Sequence, residues 1–195
     1  MLLVLVAITS IGVVCYAFFG YAFSSPGSTV HPAMKVVYDQ FPIRLCLHVF
    51  GSAVALSIGP FQFFESIRKR RQIHRLLGFT YFTAILIGGG SGIAMALVAY
   101  GGLSSRIGFG MGAVLWLYTA GRALVAIQKR DFAAHEAWAK RCFALTFAAV
   151  NLRVYLGLFF AFGFNFNDFY PALGWISWVP NLIFAEWFLI RGRSA

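Results

Sequence analysis

His74 and His135 are the residues whose type and spacing most resemble a site. His74 closes the interval Ile67-Arg-Lys-Arg-Arg-Gln-Ile-His74, and His135 closes Ile127-Gln-Lys-Arg-Asp-Phe-Ala-Ala-His135. In both, an apolar run ends in isoleucine, a basic cluster follows, and a histidine seven or eight positions later opens the next apolar run. If both intervals are turns of helical hairpins, the two imidazoles lie at one depth. Two imidazoles from different helices suit the axial positions of a haem b, and with a carboxylate such as Glu136 they suit a divalent metal. Headgroup-facing histidines and proton-active histidines have the same spacing, so those readings stay open. Tyr81 follows His74 by seven residues and Cys142 follows His135 by seven, so each shares a helical face with its histidine. Tyr81 and Trp138 complete the candidate cofactor site around His74 and His135.

A second set consists of ionisable residues inside the apolar runs: His48, Arg122, Arg153 and Glu186. Such groups are expensive in lipid and are functional candidates for that reason. Counting helical rise puts Glu186 and Arg122 roughly 10 Å from one face and Arg153 nearer the other. Arg122 is therefore the expected partner of Glu186, with Arg153 second. A structural ion pair and a substrate- or proton-binding carboxylate both fit. His31 lies in a Pro- and Ser-containing interval, a poor place to fix a haem ligand. The familiar soluble-enzyme motifs are missing: there is no phosphate-binding glycine loop and no nucleophile elbow, and after His135-Glu136 the second histidine of a zinc-protease HExxH is replaced by Ala139.

The elements that must hold these residues follow from composition. Of the 195 residues 60% are hydrophobic and 11% charged, against roughly a quarter charged in soluble domains. The chain reads as a polytopic membrane protein, all-α, with one transmembrane domain over residues 1–195. Six helices are expected at about 2–23, 44–66, 74–98, 107–127, 132–162 and 175–190, because a run of about 20 apolar residues spans a hydrocarbon core. Within lipid each helix satisfies its own backbone groups, which favours a helical bundle. The first run carries no charge up to Phe23 and lacks the basic start of a secretory signal; cleavage after Ser24 would leave five helices. Gly59-Pro60 should kink the second helix. The run Gly88-Gly-Gly-Ser-Gly92 marks either close helix packing, the favoured reading, or local unwinding. Intervals 24–42 and 165–171 read as loops, and Asp131 as a helix N-cap.

Charge sets the expected orientation. Arg68, Lys69, Arg70, Arg71, Arg75, Lys129, Arg130, Lys140, Arg141, Arg191 and Arg193 fall on one side, and Lys35, Arg44 and Arg106 on the other. By the positive-inside rule both termini face the cytoplasm, in a bacterial inner membrane. The net charge of +10 is explained by topology, and a nucleic-acid partner is excluded because the basic residues form no separate domain. The expected partner is the lipid bilayer, with a second copy or another membrane protein compatible. Cys15, Cys46 and Cys142 have neither disulfide-framework nor CxxC spacing and read as inert buried thiols.

The chain resembles the bacterial predicted membrane proteins called domain of unknown function 2306. The resemblance rests on Gly59-Pro-Phe-Gln62, His74-Arg75 with Gly78 and Tyr81, Gly108-Phe109, Trp116, His135 with Trp138 and Arg141, Leu152-Arg153, Trp178-Val-Pro-Asn181 and Glu186-Trp187. It spans roughly 44–187 and implies a membrane fold without an assigned activity. In layout alone the chain is similar to the transmembrane b cytochromes, small six-helix bundles with histidines near helix ends. Those carry four ligand histidines on helices, whereas three are expected on helices here. Three functional classes follow: a small haem- or metal-binding redox protein using the His74 and His135 pair, a proton-coupled transporter or channel built on Glu186, and a non-catalytic assembly subunit.

Overall fold

A computed structural model describes residues 1–23 and 31–190; the cleavage position after Ser24 and the terminal Arg191 and Arg193 lie outside the described residues. Among the described residues six spans are long and apolar enough to cross a membrane, and regular structure is entirely helical. The chain divides into two compact units, Met1–Tyr100 and Gly101–Ala195.

The first unit contains α1 (Leu2–Ala22), α2 (Pro32–Gln40), α3 (Pro42–Ile58), a 3₁₀ turn (Gly59–Phe63), α4 (Glu65–Lys69) and α5 (Arg71–Ala96). In α1 the buried residues are Ser10 and Ala17, seven apart on the face that packs against α3, while Leu2, Leu5, Ile8 and Phe19 are exposed. Small residues inward and large apolar residues outward are what a lipid-facing helix requires, because lipid solvates large side chains and small ones let backbones approach. The interval around His31 differs from the expected loop. Pro32 starts a short helix and the His31 ring caps it by accepting from the Ala33 amide at 3.3 Å. Downstream, α3 tightens into the 3₁₀ turn at Gly59-Pro60, where the proline supplies no amide for the α-helical ladder.

The glycine run of α5 is continuous helix, so close packing is its explanation. A Cβ on Gly51 of α3 would lie 2.8 Å from the Gly88 nitrogen, and one on Gly88 would lie 2.9 Å from the Ser52 nitrogen. These backbones touch. A Cβ on Gly90 would meet nothing within 4 Å. Gly88→Ala is therefore expected to cost about 1–3 kcal/mol by overpacking, while Gly90→Ala should be neutral or gain up to about 1 kcal/mol of helix propensity. Unfolding of the two variants in detergent checks this, and equal effects would contradict the contact.

The second unit contains α6 (Gly102–Gln128), α7 (Phe132–Thr146), α8 (Ala148–Ala161), α9 (Phe166–Ile176), α10 (Val179–Phe184) and a π-helical segment (Ala185–Ile190). Gly101 and Gly102 precede and open α6 at φ 89° and 75°; this left-handed geometry suits glycine, and a Cβ at Gly101 would also sit 2.3 Å from the Ser105 hydroxyl. Phe147 separates α7 from α8 within one span. The last span starts at Phe166, not Trp175: Asn165 caps it by accepting from the Asn167 amide, and Phe166, Phe169 and Tyr170 are buried in an aromatic cluster with Phe159 and Phe160. Pro171 stands early in this helix, and the aromatic packing carries the helix past it.

That span is broken at Ser177-Trp178, ahead of Pro180. The proline ring excludes the carbonyl four residues earlier, and the freed main-chain acceptors need other donors. Trp178 supplies one: its indole N–H donates to Gly174 at 2.6 Å and Gly108 at 3.2 Å. This is possible because α6 and α9 approach at Gly108, where a Cβ would lie 2.8 Å from the Gly174 carbonyl.

Candidate functional site

The turn from α6 to α7 delivers His135. Arg130 adopts a left-handed conformation at φ 59°, the Asp131 amide donates back to Ala126 at 3.0 Å, and the Asp131 carboxylate accepts from the Ala134 amide at 2.9 Å. The reversal is tight and capped, which satisfies an amide that the helix start would otherwise leave open. His135, on the first turn of α7, then meets the end of α6: its Nδ1 lies 2.8 Å from the Ala123 carbonyl. A carbonyl only accepts, so Nδ1 carries the proton and donates, leaving the Nε2 lone pair as the ligand-capable position. The ring is half-buried. Cys142, on the same helical face, is fully buried, and its carbonyl accepts from Thr146 Oγ1, which in turn accepts from the Trp116 indole at 2.9 Å.

In the first unit His74 occupies the first turn of α5, its amide donating to the Arg70 carbonyl at 3.0 Å, with its Nδ1 atom buried. Tyr81 is buried on the same helix in an edge contact with Phe82. His48 has an anchor of the same kind as His135, its Nδ1 lying 2.8 Å from the Gly88 carbonyl. The glycine-to-glycine contact thus gains a side-chain donor beside it. Pairing the glycine run with the only histidine of the preceding helix would have revealed that bond in sequence.

Glu186 is where expectation and structure part. Its partner is Arg141, through Nη2 at 2.7 Å and Nε at 2.9 Å, both to Oε2, and not the expected Arg122. The physical reason lies in the two elements. The last span is broken and ends in a π segment, so counting regular rise misplaces Glu186, and that segment packs against α7. Arg141, counted with the loop charges in sequence, stands ten residues past Asp131, about 15 Å along α7. Neighbouring Lys140 joins the same seam, pairing with Glu136 at 2.7 Å and donating to the Leu189 carbonyl of the π segment at 3.1 Å.

Trp138 lies between two cations. The Arg141 guanidinium sits 4.6 Å from its ring centroid and the Arg122 guanidinium 4.7 Å. Arg122 also donates to the Tyr118 hydroxyl at 2.9 Å, and among the described residues no carboxylate pairs with it. Arg153 donates to the Ala149 carbonyl of its own helix at 2.8 Å. Sequence reading also passed over Asn151, whose amide donates to the Asn181 side chain; Asn181 donates in turn to the Ala144 carbonyl at 3.0 Å. This latch ties the broken last span to the α7–α8 span, and two asparagines at membrane depth were its signal in sequence. Among the described residues no group of three or more His, Cys, Asp or Glu side chains comes together as a metal site.

The model of a family described as "predicted membrane protein (DUF2306)" matches residues 45–189. No curated protein and no solved structure matches the chain.

Proposed function

The chain belongs to this family of predicted membrane proteins, and we propose that it is a small redox protein of the bilayer that holds haem b through His135 and His74. The observation that carries the reading is the Nδ1 hydrogen bond of His135 to the Ala123 carbonyl. Such a bond fixes the tautomer and the ring and raises the basicity of the opposite nitrogen, which is the usual preparation of a ligating histidine. His74 is assigned as the second ligand on the sequence repeat of isoleucine, basic cluster and histidine. When bound, the haem supplies one-electron transfer; the chain supplies the ligands. By the charge bias the site belongs to the cytoplasmic side of a bacterial inner membrane, with both termini there.

The test is the absorbance of protein purified after expression with ample haem. A low-spin spectrum with sharp reduced bands is expected, and a colourless, folded protein would overturn the proposal.

A second reading, proton-coupled transport, is favoured by the break at Ser177-Trp178 and the π segment bearing Glu186. Interrupted helices bearing an ionisable group at membrane depth are the working parts of many transporters. Proton uptake into proteoliposomes that persists in Glu186→Gln would remove it.

A further inference from the structure

Beyond the haem reading, we infer that Arg122, Trp138 and Tyr118 form a binding site for the phosphate of an anionic phospholipid. Arg122 shares the Trp138 ring with Arg141, and Lys140, Glu136 and Glu186 are the other charged groups of the α7 seam. Two ion pairs, Lys140 with Glu136 and Arg141 with Glu186, account for four of them. The remaining positive charge is Arg122, exposed on α6.

Its depth makes that charge consequential. The 27 residues of α6 measure about 40 Å against a hydrocarbon core of about 30 Å, so about 5 Å projects at each end. Arg122 stands six residues before Gln128, about 9 Å from the helix end and about 4 Å below the hydrocarbon boundary. A lone arginine at this depth would extend its side chain toward the headgroups. Here the guanidinium is held by the Tyr118 hydroxyl one turn deeper and by the Trp138 face. A cation kept below the boundary requires a counter-anion drawn down to it, and the planar guanidinium fork matches a phosphate.

The surface leading away from Arg122 selects lipid over a water-soluble anion. Met111, Val114, Tyr118 and Val125 are all exposed and share a face of α6 with Arg122. Tyr118, Val114 and Met111 continue from Arg122 into the span as an apolar stripe, the surface an acyl chain would cover. A free phosphate would use the guanidinium and leave that stripe unused. The basic turns at this end of the span place the site on the leaflet where positive charge is retained.

The experiment is native mass spectrometry of the full chain, delipidated and returned to micelles with equimolar phosphatidylglycerol and phosphatidylcholine. The intact protein is expected to retain phosphatidylglycerol over phosphatidylcholine by about fivefold, as one interfacial arginine provides. Arg122→Gln should bring the ratio close to one, while Arg106→Gln, near the other end of α6, should leave it unchanged. Inorganic phosphate at millimolar concentration should not displace the lipid; displacement would reassign the site to free anions and overturn the lipid inference. An unchanged ratio in Arg122→Gln would overturn it as well. A phosphatidylglycerol carrying a photoreactive acyl chain gives a readout on the unaltered protein: labelling is expected within 111–125, and labelling confined elsewhere would sink the proposal. Neither measurement requires haem, so this inference and the redox reading fail independently.

Discussion

Glu186→Gln and Arg141→Gln, each made alone, are expected to lower stability in detergent by about 3–5 kcal/mol, the range for removing one member of a buried ion pair. Both side chains are more than two-thirds buried, at 27% and 22% exposed, and the carboxylate takes two guanidinium bonds on one oxygen. Among the described residues, removing Glu186 leaves Arg141 with the Trp138 face as compensation. Removing Arg141 leaves a carboxylate in the same poorly solvated seam. The double variant removes both charges and should lose clearly less than the sum of the singles, since both singles break the same ion pair. Equilibrium unfolding of the four proteins measures the coupling. Additivity within about 0.5 kcal/mol would mean the pair does not interact. Arg106→Gln combined with Glu186→Gln is the control, and here additivity is expected because Arg106 stands near the start of α6, away from the Arg141 and Glu186 pair.

Loss of the low-spin bands is expected for His135→Ala and for His74→Ala on the proposed ligation, because a six-coordinate low-spin iron cannot form with one axial donor missing. His31→Ala should keep the full spectrum, since His31 caps α2. His48→Ala is the more searching control. Its Nδ1 bond to Gly88 resembles that of His135 to Ala123, so geometry alone does not rank the two rings. If His48 acts only in packing, its alanine variant keeps the bands and loses about 1 kcal/mol of stability, as for one hydrogen bond. Loss of the bands in His48→Ala with retention in His74→Ala would reassign the second ligand.

Much of the frame was legible because lipid simplifies the folding problem. Long uncharged runs have no solution other than helices, so six spans could be read directly. The glycine run was legible as close packing because small residues have that role between membrane helices. The partner of Glu186 was not legible. Depth counting assumes an unbroken α-helix, and the interruption before Pro180 together with the π segment violates that assumption. The helix at 166–176 was hidden for a related reason: Asn165, Asp168 and Pro171 have loop-like local preferences, and their helix is held by aromatic contacts with Phe159 and Phe160 across the turn from the preceding helix. Asp131 as a cap was readable because capping is decided within four residues.

The left-handed Arg130 links the folded state to how the chain is threaded into the bilayer. That backbone conformation costs an L side chain about 1–2 kcal/mol and costs glycine almost nothing. Glycine would relax the turn but delete a cation from the short segment whose charge instructs the insertion machinery. Arg130→Gly is therefore expected to raise the midpoint of thermal unfolding while increasing the fraction of chains that a reporter fused at the carboxyl end detects in reversed orientation. On the proposed topology the turn accepts local backbone strain in exchange for fidelity during biogenesis, a requirement that ends once the protein has been made.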